Sequence, residues 1–163
     1  MPRSSSKGRL TARLFFAAII ASVAGCGRTI SPSELPGTWT ISRSSQHLFP
    51  ADFDVTSATL VFKSDGTFTA SGLPQEIVLP DATGSDAVAR INGSGRWVLL
   101  ERLGFSDATG FMLEFKVIQG PAQYKIPFST MLFSVRETHG VVRIHYFHDD
   151  PDLGRKVEFE KQK

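Results

Sequence analysis

Four histidines (His47, His139, His145 and His148) and a scatter of carboxylates are the residues of this chain best suited to chemistry. In the stretch HYFHDDPD, Asp149, Asp150 and Asp152 follow His148 closely, the kind of cluster that can hold a metal ion. Ligands must converge on one point, however, and on a strand residues three apart face opposite ways, so His145 and His148 diverge unless a bulge intervenes. No metal site is expected, and His148, Asp149, Asp150 and Asp152 read as a solvated turn. Asp52 and Asp54 flank Phe53 and are candidates for a general acid and base, but two acids in a polar loop are more simply surface groups. The serines show no G-x-S-x-G elbow and no readable Ser/His/Asp arrangement, and no phosphate-cradling or dinucleotide glycine motif is present. The chain is therefore not expected to be an enzyme or to carry a cofactor. One nucleophile is left over: Cys26, the only cysteine.

Cys26 stands where an apolar run gives way to polar sequence. Ahead of it lie a basic start, MPRSSSKGRLTAR, and about twelve apolar or small residues, LFFAAIIASVAG. As a helix that run would rise roughly 18 Å, well short of the ~30 Å hydrocarbon core, so it reads as a secretory signal and not as a span. The four residues Val23-Ala24-Gly25-Cys26 resemble the lipobox of bacterial lipoproteins. That resemblance implies removal of a signal peptide, residues 1–25, and a diacylglyceryl group on the Cys26 sulfur. The membrane is then a partner through that lipid, and the protein is anchored outside the cytoplasm on the cell membrane or the outer membrane. Gly27 is not the aspartate that retains some such proteins at the inner membrane, which is compatible with outer-membrane sorting. Two acyl chains are enough for stable anchoring. With the thiol so used, neither a disulfide nor a cysteine-ligated metal can staple the fold.

The length of 163 residues and the 41% hydrophobic content suit one globular domain. The formal net charge of +2 is carried by the start of the chain, because Arg3, Lys7, Arg9 and Arg13 precede the apolar run and no acid does. From Cys26 onward there remain 14 basic and 16 acidic residues with no basic stripe. A nucleic-acid partner is not expected, since such binding is driven by phosphate neutralisation.

Residues 26–36, CGRTISPSELP, have no periodicity and read as a tether, reaching roughly 35 Å if fully extended. From residue 37 to 163 the period is two. Trp39/Ile41, Ala58/Leu60/Phe62, Phe68/Ala70, Trp97/Leu99, Phe111/Leu113/Phe115/Val117, Met131/Phe133/Val135, Val142/Ile144/Tyr146 and Val157/Phe159 each mark one apolar face. This alternation predicts half-buried antiparallel strands. Ser64-Asp65-Gly66 and Thr138-His139-Gly140 are hairpin signals, and Pro151-Asp152-Leu153-Gly154 is a wider turn. Eight strands on hairpin connections predict an all-β, antiparallel up-and-down eight-stranded barrel, which removes the sheet edges; a β-sandwich is the alternative. The strands are too short for a barrel that crosses a membrane.

Four stretches carry a second resemblance. LPGTWTI is similar to the G-x-W of the first strand in lipocalins and in short bacterial lipocalin-like proteins, and GSGRWVL to a mid-barrel strand of the bacterial set. LVFKSDGTFTASGLP and the final hairpin DDPDLGRKVEFEK extend the likeness over most of the residues after the tether. The resemblance implies a lipocalin-like barrel whose first tryptophan closes one end and whose interior takes an apolar guest. The chain lacks the disulfides of the larger lipocalins and shows no C-terminal helix.

The large inward residues Trp39, Trp97, Phe111 and Phe133 are the candidate lining of a small barrel pocket. The connection from Gly72 to Asn92 is long for a compact domain, and its apolar patch Ile77, Val78 and Leu79 is a candidate lid. Two functions follow as expectations. The first is binding of a small apolar ligand in that pocket. The second is a structural or protein-interaction module of the cell envelope that acts through barrel-mouth loops.

Overall fold

The computed structural model describes residues 30–79, 89–100, 109–120, 129–147 and 155–163. Apolar alternation becomes eight antiparallel strands: β1 (Gly37–Ile41), β2 (Thr59–Phe62), β3 (Thr67–Pro74), β4 (Arg90–Leu100), β5 (Thr109–Gln119), β6 (Ser129–Thr138), β7 (Val141–Phe147) and β8 (Lys156–Lys161). Each pairs with the next in sequence, and β8 returns to β1 through Trp39↔Lys161 and Ile41↔Phe159, so the sheet closes as an up-and-down barrel. A β-sandwich is thereby excluded. Closure leaves no row of unpaired backbone groups for another chain to add to.

The barrel has two ends. At the near end, where the chain enters, lie the β2–β3 and β6–β7 hairpins. The second of these is the two-residue turn His139-Gly140, with both residues at positive φ, 53° and 78°. That is the turn geometry whose twist matches the flanking strands. At the far end lie the β1–β2 connection and a one-turn helix, α1 (Gln75–Val78). The β1–β2 connection is built from two 3-10 turns, Arg43–Leu48 and Val55–Ser57. Ser42 and Asp54 cap them by accepting from the backbone N–H of Ser44 and Thr56.

Two expectations about boundaries change. The segment read as a tether is part of the packed body from Ile30 onward. Ile30 and Leu35 are buried, and Pro32–Glu34 forms a 3-10 turn with a Ser31/Glu34 capping box. The reason is non-local, because the Trp39 indole N–H donates to the Leu35 carbonyl at 2.9 Å and holds the entering chain against the barrel. Likewise β3 continues through Gly72 to Pro74, past a register shift between Ala70 and Leu73, so the following connection is shorter than the alternation predicts.

Inward residues form one apolar cluster from both ends. Trp39, Phe62, Phe68, Phe111, Phe115, Phe133 and Phe159 are all fully buried. Burial of each such side chain stabilises the fold by roughly 1.5–3 kcal/mol, which is why one face of every strand is apolar.

Candidate functional site

The barrel interior is the first candidate. Its rings touch in sequence across the strands: Phe115 to Phe68 at 4.8 Å, Phe68 to Phe62 at 6.4 Å, Phe62 to Phe111 at 5.3 Å, Phe111 to Phe133 at 5.1 Å and Phe133 to Phe159 at 6.0 Å. Cross-strand register explains the order, since Phe62 pairs with Phe68 and Phe111 with Phe133. An eight-stranded barrel interior is just wide enough for side chains to fill or for one small ligand, and these rings touch one another within it.

Of the four residues expected to line a pocket, Phe111 and Phe133 lie stacked with planes 6° apart. Trp97 joins the same chain edge-on through Phe62 at 6.1 Å. It is half-buried at the near end, where its indole N–H donates to the Lys63 carbonyl at 3.1 Å. Trp39 is fixed separately by Leu35, and the Lys161 ammonium stands 5.7 Å from its ring. Each of the four has a structural partner within the fold.

The far end is the second candidate. Ile77, Val78 and Leu79 are buried as part of the core, on α1 and the residue after it, and Ser129 Oγ of β6 donates to the Val78 carbonyl at 2.9 Å. This patch packs inward as part of the core, against β3, β4 and β6. At the start of the same turn Gln75 is 1% exposed, and neither its Nε2 nor its Oε1 has a hydrogen-bond partner. A primary amide in such a place costs free energy unless a guest or water satisfies it. Sequence pattern gave no sign of this residue, because a glutamine beside a proline carries no periodic signal of burial.

Over the same end, the β1–β2 connection is tied down at many points. Phe49 and Phe53 stack at 5.7 Å, and the Gln46 amide donates to the Pro50 and Phe53 carbonyls. Arg90, at the start of β4, holds the connection from the side. Its guanidinium lies 4.3 Å from the Phe53 ring centroid and donates to Ser57 Oγ, the Asp54 carbonyl and the Gly72 carbonyl. Asp54 is a turn cap whose carboxylate is held below its usual range, first by the Thr56 hydroxyl and then by the Thr56 backbone N–H. It has no acid–base partner in Asp52, and both residues are exposed. Pro50 and Ala51 at the tip are exposed as well.

The third candidate is a polar row on the outer wall. Register places Ser134, His145 and Glu158 side by side on β6, β7 and β8. A serine, an imidazole and a carboxylate in that order would be a nucleophile, a base and its orienter. Here the activating link is not made: Ser134 Oγ and His145 Nδ1 are buried and each lacks a hydrogen-bond partner. Burial first, and the nearby Lys156 charge second, push the His145 ring down to about 4, against the pull of Glu158. Glu158 itself is raised by burial, but the Lys156 hydrogen bond and charge, with His145 and Arg143, outweigh that and lower it.

His47 is exposed and bonded through Nδ1 to the Ser44 carbonyl, and His139 is exposed at the hairpin tip. Among the described residues no three His, Cys, Asp or Glu side chains are placed to hold a metal ion. Cys26, His148, Asp149, Asp150 and the turn 151–154 lie outside the described residues.

With the geometry in place, comparison with other proteins adds no relative. No family model, no curated protein and no solved structure matches the chain.

Proposed function

We propose that the protein is a lipid-anchored, non-catalytic module of the cell envelope, held on the outer side of a membrane by Cys26 and acting through the far end of its barrel. The observation that supports this reading is the unbroken run of ring contacts from Phe115 to Phe159, which favours an interior occupied by the protein's own side chains. Recognition then belongs to the surface. Among the described residues the β1–β2 connection is the longest loop, and it presents Pro50, Ala51 and Asp52 at the surface of the barrel's far end. Loops on a rigid scaffold are where recognition concentrates. Its partner in this reading is an envelope protein.

Gln75 favours a second reading, the small apolar ligand. A buried amide with both ends unpartnered is the polar handle that orients a guest in an otherwise apolar site. Such a guest would be short, carry one donor or acceptor, and sit under α1 and not along the barrel axis.

Two experiments test these readings. A photo-crosslinking amino acid at Ala51 is expected to join the protein to a discrete envelope protein in cells, and the same probe at Ser71, on the outer wall, is not. Titration of the full chain with fatty acids, followed by tryptophan fluorescence, is expected to show no saturable binding; saturable quenching with no crosslink at Ala51 would replace the first reading by the second. For the anchor, Cys26→Ala is expected to abolish labelling by an alkyne fatty acid and to release the protein from membranes.

A further inference from the structure

Given the Cys26 anchor, on which this inference rests, the packing of Ile30 fixes how the barrel stands on its membrane. Ile30 is buried and adjoins the Pro32–Glu34 turn, which Lys161 Nζ holds at the near end through the Glu34 carbonyl, and only four residue steps separate it from Cys26. Fully extended, those steps span at most about 14 Å. The longest strands have 11 residues. At ~3.3 Å per residue and a tilt near 40°, the far end stands more than 25 Å beyond the near end. A lipid on Cys26 therefore brings the near end to the bilayer and leaves the far end pointing away.

The near end has the chemistry of a surface that meets head groups. A groove of about 510 Å³ runs between the His139-Gly140 turn and the end of β8, lined by Glu34, Val141, Arg143, Glu160, Lys161 and Lys163 among others. Val141 is 47% exposed beside the turn, an apolar side chain at the rim of a charged groove. Lys63, Arg136, Lys161 and Lys163 are exposed on this end.

Among the described residues, the carboxylates of this end keep their charge but are held by hydrogen bonds or ion pairs within the fold. Glu34 accepts from the Ser31 backbone N–H, Asp65 from Thr67, and Glu160 from Ser42 Oγ beside Arg143. Glu137 is half-buried and interacts within the fold. Lysines over an anionic surface are attracted within about a Debye length, which a 14 Å link permits.

We propose that the near end docks on an anionic bilayer, with Lys63 and Lys163 over the head groups and Val141 and the His139-Gly140 turn at the interface. The barrel then lies against its membrane and does not swing on a free tether, and the β1–β2 connection is held facing outward.

The test uses the full chain, isolated from membranes with its own anchor and reconstituted in vesicles of phosphatidylcholine with or without phosphatidylglycerol. A thiol-reactive, environment-sensitive dye is placed on Val141→Cys or, at the far end, on Ala51→Cys, and an aqueous quencher is added. Docking predicts that the dye at 141 is protected in phosphatidylglycerol vesicles, that salt removes the protection, and that the dye at 51 is accessible throughout. Lys63→Gln and Lys163→Gln are each expected to weaken protection about fivefold. If 141 and 51 are equally accessible while the unsubstituted chain takes up no dye, the anchor stands and docking is overturned. If the unsubstituted chain is labelled at Cys26, the thiol is free and the anchor falls, taking docking with it.

Discussion

His145 Nε2 lies 3.4 Å from Glu158 Oε1 across the β7–β8 pair, while the opposite ring nitrogen is buried without a partner. This arrangement places the proton of the neutral ring on Nε2, facing the carboxylate. Its ordinary value is 6.5, and burial with Lys156 nearby lowers it to about 4 in the folded protein. Between those values the unfolded chain binds a proton that the folded one refuses, so stability falls as pH falls from about 6.5 to 4. The loss is on the order of 2 kcal/mol after allowance for screening. Urea unfolding midpoints across this range should drop more for the parent than for His145→Gln, whose remaining loss near pH 4 comes from lowered carboxylates such as Glu158; an equal drop in both would remove His145 as the cause.

Trp39 and Thr38 are neighbours on β1 with opposite fates, one fully buried and one on the outer face. Trp39→Ala is expected to cost about 3–5 kcal/mol and Thr38→Ala less than about 0.5. Trp39→Phe keeps most of the packing but loses the hydrogen bond to Leu35. It should cost about 1–2 kcal/mol and raise amide exchange at Ile30 to Leu35 more than elsewhere.

The period-two pattern made the strands legible because burial on one face of a sheet has that period. What it could not show was held together by contacts distant in sequence or by breaks in the pattern. Leu35 has no apolar partner at strand spacing, and only the Trp39 indole shows that it belongs to the body. The extension of β3 was hidden by the register shift after Ala70. Arg90 and Gln75 were invisible as site residues, since their roles depend on Phe53, Ser57 and α1 coming together at the far end. His145 and Glu158 were legible as members of strands, but their pairing needed the register of β7 on β8.

Gly95, in the stretch GSGRW, sits at the irregularity where β4 shifts register against β5. A Cβ built there would overlap the Glu114 carbonyl oxygen, a backbone atom with no freedom to move aside. Gly95→Ala is expected to cost about 3 kcal/mol, read as a lower thermal midpoint. Ser94→Ala, one residue away, should leave the midpoint within a degree or two of the parent.

Arg90 joins the far-end loop to the barrel through Phe53, Ser57 and Asp54. Arg90→Ala should therefore loosen the loop more than it lowers overall stability, with the global loss near 1 kcal/mol. Hydrogen exchange at residues 46–57 is the measurement. Faster exchange confined to that segment is the expected result, and if the loop recognises a partner, the Ala51 crosslink should weaken with it.

Phe133 touches Phe111, Tyr146 and Phe159, so its ring is the junction of the interior. Phe133→Ala is expected to cost about 3–5 kcal/mol and to leave a space lined by apolar atoms. Such cavities stay dry and accept small apolar guests. The variant should then bind a benzene-sized probe that the parent does not, with a rise in thermal midpoint as the probe is added. If the parent already binds the probe as tightly as the variant, the interior holds usable space with the ring in place, and the carrier reading gains over the envelope module. If neither binds although the variant is folded, the surrounding rings have closed over the gap, and the interior is structural even when a central ring is removed.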